Sequence, residues 1–216
     1  MNIEIELPGV RLGVIEADGV AVTPSGPQLI REMDALCARL RQQFTIESLV
    51  GSDSIISVRA MFRAWGVDPS KYRPSSEALS RRIVQGKGLY QVSNIVDLTN
   101  FSSVESGWPY GVYNRSRISS AVTLRLGAPG ECYEGIGKRV WHLADRPVLA
   151  DAMGPFGSPI SDSTRTQIAD GVAEVLTVIY APASASDAAL EEAMKRQAAR
   201  LSAFASASQT RTHGLG

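Results

Sequence analysis

The chain of 216 residues is poor in the side chains on which most hydrolytic and redox chemistry depends. It holds two histidines, His142 and His213, and two cysteines, Cys37 and Cys132. A histidine-rich zinc site needs more ligands than that, and no C-x-x-C pair is present, so no metal site is expected. His142 lies in RVWHL among apolar neighbours, where a hydrogen-bonded structural role is the usual one. A Ser-His-Asp hydrolase has no G-x-S-x-G elbow to build on, and there is no Walker loop. Gly135-Ile136-Gly137 is a lone G-x-G without the rest of a dinucleotide fingerprint, so no cofactor is expected either. Two cysteines do not make a disulfide framework, and the expectation is two reduced, partly buried thiols. Cys132 has no basic partner near it in sequence that would make it a nucleophile.

Net charge is missing too: Lys plus Arg and Asp plus Glu each number 22. Bulk electrostatics therefore grip no nucleic acid, no DNA partner is expected, and any RNA must be held by a local patch. No apolar run approaches the roughly 20 residues of a membrane span. The start, MNIEIELPGV, alternates like a strand and lacks the basic and apolar regions of a signal peptide. These absences set the expectation of a soluble cytoplasmic protein without membrane contact. The length fits one large domain.

What is present is a change of periodicity along the chain. Residues 3–7 and 11–17 read as strands separated by Pro8-Gly9. Ser25 to Phe44 carries Leu29, Met33, Leu36, Cys37 and Leu40 at helical spacing, and Ile55 to Trp65 repeats the pattern. Pro74-Ser75-Ser76-Glu77 predicts a helix start with serine capping and a carboxylate in the first turn, ending near Gly86. Val92 to Val104 is a further expected helix. After Gly107, residues 121–126, 139–143, 148–150 and 172–180 read as strands. Helices early and strands late argue for α+β over a parallel α/β sheet. The expected layout is one domain over residues 1–182, a C-terminal helix over 183–208 and a disordered tail over 209–216.

Three stretches stand out. Ser93 to Ser102 (SNIVDLTNFS) puts Asn94, Thr99 and Asn100 on a helix whose propensity does not favour them. They offer neutral donors and acceptors to a pocket, or they form a hydrogen-bonded helix end. Asp151 to Thr166 (DAMGPFGSPISDSTRT) is dense in Gly and Pro, so a ligand can approach its backbone closely and successive N–H groups can face an anion. It reads equally as a strand-linking loop. Arg59 to Lys87 contains Arg59, Arg63, Lys71, Arg73, Arg81, Arg82 and Lys87 against Asp68 and Glu77, a local excess of five positive charges interleaved with Trp65 and Tyr72. That is either a phosphate footprint or a solvated helix face.

Together these stretches resemble a known family. Ile95 to Asn114 (IVDLTNFSSVESGWPYGVYN) is similar to the segment of the phenylalanyl-tRNA synthetase beta chain that reads roughly VDVTNYVMLELGQPLHAFD. Val96, Asp97, Thr99, Asn100, Glu105, Gly107 and Pro109 match it in order. Arg125, Gly130 and Glu131 resemble its R-x-A-x-x-G-E element, and Met153, Gly154, Ser158 and Thr164 its M-G-G-x-x-S and downstream Thr. That region is the B3/4 editing module, which hydrolyses tyrosine wrongly attached to the phenylalanine tRNA. The resemblance covers about residues 55–181 and looks closer to the free-standing proteins of the family. It implies an α+β fold of mainly antiparallel or mixed β-sheets with flanking helices. Two departures stand out: the family's His falls on Gly111 and its Asp on Asn114, and the Glu that reads the tyrosine hydroxyl falls near Phe156. Tyrosine is therefore not the expected substrate, because its hydroxyl would go unpaired against Phe.

The resemblance implies deacylation of a mischarged tRNA in trans. Thr99 and Asn100 would line the pocket, and backbone N–H groups at Gly154 and Gly157, with Ser158, would hold the carbonyl oxygen. Glu105 would bind the ammonium group, with Asn94, Asn114, Phe156 and Thr164 also at the substrate. Arg73, Arg81, Arg82 and Lys87 would meet tRNA phosphates. A binding module for amino acids, nucleotides or tRNA, and a hydrolase of small aminoacyl esters or amides, remain open beside it.

Overall fold

The computed structural model describes residues 1–119 and 121–216. The strand alternation at the start becomes β1 (Ile3–Ile5) and β2 (Val10–Asp18). Five helices follow: α1 (Pro27–Gln43), α2 (Ile46–Val50), α3 (Asp53–Ala64), α4 (Ser75–Val84) and α5 (Asn94–Ser106). Then come β3 (Tyr110–Asn114), a 3-10 turn at Arg115–Arg117, β4 (Val122–Leu126), β5 (Cys132–Glu134), β6 (Val140–His142), β7 (Pro147–Asp151) and β8 (Gly154–Gly157). A second 3-10 turn at Thr164–Thr166, β9 (Glu174–Pro182), α6 (Asp187–Ala205) and β10 (Gln209–Leu215) complete the chain. The class is α+β, as the order of periodicities predicts.

Two four-stranded sheets carry the fold, in the orders β1-β4-β7-β8 and β10-β2-β9-β3. β1 runs parallel to β4, and the other pairings are antiparallel. β9 is central in the second sheet and buried from Val175 to Pro182. Its apolar run VLTVIYA lacks alternation because both faces are covered. Each Val, Ile or Leu buried there contributes roughly 1.5–3 kcal/mol of apolar transfer. α6 packs on β2, β10 and α5. Its Leu190, Met194, Leu201 and Ala205 join the same core as β2 and β9.

Three expectations are corrected, and one element is added. Residues 209–215, read as a disordered tail, form β10, antiparallel to β2 from Gln209↔Asp18 to Leu215↔Leu12. The segment QTRTHGL has little apolar content to betray a strand, and pairing with the β2 edge supplies the order. His213 accordingly sits in a strand, its Nε2 2.8 Å from the Met1 carbonyl oxygen. Ser75 does not cap α4: Pro74 occupies the N-cap, and the buried Ser75 hydroxyl has no partner among the described residues. Cys132 is exposed, while Cys37 is buried. The short α2 escaped the periodicity because five residues are less than two turns; a capping box between Thr45 and Ser48 sets it.

Candidate functional site

α5 begins where Ser93 accepts from the Val96 N–H and ends at Gly107 in the left-handed conformation. It is buried along most of its length, which explains why its polar residues are engaged. Asn94 Oδ1 accepts from Thr23 N at 3.0 Å, and Nδ2 donates to Ala21 O and Phe204 O, each at 2.8 Å. It is a clamp joining the β2–α1 connection, α5 and α6. The Thr99 hydroxyl donates to Ile95 O at 2.7 Å and accepts from Gln197 at 3.3 Å. Asn94 and Thr99 thus belong to the interior rather than to an open pocket, because hydrogen-bonding groups buried between helices must pair. Asn100 is half-buried, and its amide makes no side-chain hydrogen bond among the described residues.

Glu105 is engaged as well. Its Oε2 lies 2.9 Å from Arg200 and 3.5 Å from Arg196, both on α6. The basic patch is also partly self-neutralised. Glu77, 1% exposed, takes Arg59 at 2.7 Å, Arg81 at 2.7 Å and Arg73 at 3.6 Å. Burial pushes its carboxyl up, but the hydrogen bonds from Arg59 and Arg81 outweigh that and hold it below its ordinary value. Arg81 is therefore an internal partner, whereas Arg73 and Lys87 reach solvent. Arg82 stacks 3.9 Å above the Tyr90 ring, and Arg146 stacks 4.0 Å above Tyr72. Both arginine–tyrosine pairs are at least partly exposed.

The Gly-Pro loop meets β3 at a buried polar cluster. The Tyr113 hydroxyl donates to Asp162 Oδ1 at 2.9 Å and lies 3.2 Å from the Tyr180 hydroxyl. Ser158 N donates to the same carboxylate oxygen at 3.3 Å. Burial pushes the Asp162 carboxyl up to about 7, against the lowering effect of the Tyr113 hydrogen bond. The residue as a whole is half-buried, so a deeply enclosed carboxylate belongs to a residue that still reaches solvent. No salt-bridge cation faces it among the described residues. Burial raises the Tyr113 and Tyr180 hydroxyls well above their ordinary value, so both stay protonated. A carboxylate that titrates near neutrality is a general acid–base candidate. Sequence reasoning passed over Asp162 because it reads as one more loop capping residue; its isolation from cations is a property of the fold.

The neighbouring residues with assigned roles are mostly structural. The Ser158 hydroxyl donates to Ser161 O at 2.7 Å and accepts from Ile160 N and Ser161 N. Its N–H serves Asp162, so the expected oxyanion donor is occupied. Phe156 is fully buried, edge-on to Tyr113 at 5.1 Å, and is core rather than substrate-facing. A Cβ added at Gly157 would overlap the Tyr113 ring, and one at Gly111 would overlap its hydroxyl. Tyr113 fills the space that side chains at both positions would need. Gly154 has a φ of 108° with open space beside it, which favours glycine. Thr164 donates to Glu134 O at 3.2 Å. Asn114 accepts from Ser116 N at 3.1 Å and lines a cleft of about 410 Å³ with Arg117, Asp170 and Glu174. The structure thus brings Gly157 and Ser158 together with Asp162 and Tyr113, and leaves Thr99 and Glu105 on the α5–α6 side. Among the described residues no three His, Cys, Asp or Glu side chains gather as a metal site would need.

Phenylalanine–tRNA ligase beta subunits are similar to this chain: that of Streptomyces avermitilis is 34% identical over 107 residues, 49% of this chain and 12% of that protein. That of Nocardia farcinica is 28% identical over 116 residues, 53% of this chain and 14% of the relative. The chain therefore spans about an eighth of the length of these relatives. An N-terminal fragment of the phenylalanyl-tRNA synthetase beta subunit from Pyrococcus horikoshii aligns with a TM-score of 0.43 and 11% identity, over 94% of this chain and 49% of that one. The B3/4 domain matches residues 57–205, from within α3 to the last residue of α6. The chain belongs to the B3/4 domain family.

Proposed function

We propose that this B3/4 domain acts on the aminoacylated 3′ end of tRNA and hydrolyses the ester of a mischarged species in trans. Asp162 carries the reading: it is an enclosed carboxylate with no salt-bridge cation opposite it among the described residues, raised to about 7 by burial, beside the loop of Gly157 and Ser158. Its carboxylate takes a proton from water as the water oxygen attacks the ester carbonyl. The C–O bond to the ribose then breaks, the ribose oxygen takes that proton back from Asp162 and leaves as a hydroxyl, and the amino acid leaves as an acid that releases its proton to water to become the carboxylate. Tyr113 and Ser158 N position the base. An aminoacyl ester is already activated, so modest acid–base help and positioning suffice. Arg73, Arg82 with Tyr90, Lys87 and Arg146 with Tyr72 form the surface for the tRNA, and the place of action is the cytoplasm. Membership in a family shared with phenylalanine–tRNA ligase beta subunits supports the substrate class. Tyrosine is not the proposed amino acid, since Phe156 stands where the resemblance puts the Glu that reads its hydroxyl.

The test is release of labelled amino acid from a panel of correctly and wrongly charged tRNAs. Release from one mischarged species, lost in Asp162→Asn, supports the proposal; release undiminished in that variant removes Asp162 from the mechanism. A second reading is favoured by the engagement of Asn94, Thr99, Glu105 and Ser158 within the fold: a module that binds charged tRNA without chemistry. Tight binding with no release from any species establishes that reading.

A further inference from the structure

The hairpin of β5 and β6 forms a two-stranded sheet of its own, apart from the two main sheets. Its inner face carries Tyr133 and Trp141, paired across the strands and packed with Leu143 and Val148. Its tip and outer face are open, with Ile136 and Val140 56% and 55% exposed. Lys138 and Arg139 at the tip are also exposed and form no ion pair among the described residues. From Gly135 to Trp141 the sequence holds no acidic residue; Glu134 stands just before it. The Arg139 guanidinium lies 4.8 Å from the centre of the Trp141 ring, an arrangement that leaves a planar cation backed by an aromatic.

The tip adjoins the proposed centre. Ile136 N donates to Asp162 O at 3.0 Å, Gly135 bridges to Ser163, and the Thr164 hydroxyl donates to Glu134 O at 3.2 Å. At the other end of the same loop Ser75 N, at the start of α4, donates to Pro159 O at 3.0 Å. Residues 159–162 are therefore held between the start of α4, which follows Tyr72 and Arg73, and the hairpin tip. A strand that crosses the α4 side to reach Asp162 has the hairpin tip beside it.

We infer that the β5–β6 hairpin holds the unpaired 3′ nucleotides of the RNA seated at Asp162, an inference that rests on the proposed action on the 3′ end of tRNA. A base stacks on the outer face of the Arg139 guanidinium, Lys138 meets a backbone phosphate, and Ile136 and Val140 cover apolar base and sugar edges. Guanidinium planes and aromatic rings take any base by stacking, provided the base is not already paired within a duplex. The two uncompensated cations match the charge of the phosphates.

Binding of two RNA stems to the full chain tests the inference, one with unpaired 3′ nucleotides ending in CCA and the same stem cut blunt. The overhang RNA binds at least roughly tenfold more tightly than the blunt one. The double change Lys138→Gly and Arg139→Ala removes most of that preference. Both side chains are exposed, and Lys138 has a φ of 64°, which glycine adopts without strain, so the fold is kept. In single-turnover release the same double change raises the protein concentration for half the maximal rate by a larger factor than it lowers the maximal rate. Equal binding of the two RNAs by the wild type, or an undiminished preference in the double variant, overturns the inference and leaves the deacylation reading standing. A preference that the double variant loses, with no release from any charged tRNA, upholds the inference and removes the deacylation instead. Self-association of the chain that the double change abolishes assigns the hairpin to a second copy and overturns the inference.

Discussion

Asp162 and Tyr113 set the behaviour of the centre at the residue scale. The folded Asp162 pKa, about 7, lies above the ordinary aspartate value of 3.8. The native state therefore holds its proton more tightly than the unfolded chain. Its contribution to stability is complete below the unfolded value, declines as pH rises between the two, and is gone above about 7. About three pKa units correspond to roughly 4 kcal/mol, and solvent access to the half-buried residue reduces this to roughly half. Asp162→Asn keeps an oxygen that accepts from Tyr113 and Ser158 N. It should raise the melting temperature at pH 8 relative to wild type and leave it nearly unchanged at pH 4; thermal unfolding at the two pH values checks this. Gly111→Ala forces a methyl group into the Tyr113 hydroxyl and should cost roughly 1–3 kcal/mol by overpacking. Combining it with Tyr113→Phe, which removes the nearest atom, should cost less than the sum of the single changes in denaturant unfolding.

At the scale of elements, two tethers decide whether the helices stay on the sheet. Glu77 gathers three arginines from α3, α4 and the connection between them. Glu77→Ala leaves the partly buried Arg59 and Arg81 guanidinium groups without their carboxylate and should destabilise the fold, by less than the roughly 3–5 kcal/mol of a fully buried pair, measured by urea unfolding at neutral pH. Because the folded Glu77 pKa is depressed, its stabilisation is present above the unfolded carboxylate value and lost as pH falls through the folded one. Strand β10 covers the edge of β2 with a full seven-residue register. Removing residues 209–216 should expose that edge, lower the melting temperature and promote association, read by light scattering. The helices α1, α3, α4 and α5 were legible from their 3.6-residue spacing and turn signals. β10 was not, because edge pairing rather than apolar pattern holds it. The roles of Thr99, Asn94 and Glu105 were not legible either: a polar residue on a helix looks the same in sequence whether it faces a ligand or, as here, Gln197, Phe204 O and Arg200 on α6.

For the whole molecule, the family emerges from ordered short matches around α5 and the β8 loop, whereas the chemistry depends on what the fold encloses. The Asp162 site draws on β3, β9 and the loop after β8, segments separated by some fifty residues of sequence between Tyr113 and Asp162. The central claim is that Asp162 is the base of a tRNA deacylase. The most direct measurement is the pH dependence of single-turnover release from the mischarged tRNA that the panel identifies. The account predicts a rate that rises with an apparent pKa near 7 in the wild type, with a much slower rate lacking that inflection in Asp162→Asn. An unchanged profile in the variant, or no release from any charged tRNA, would contradict it.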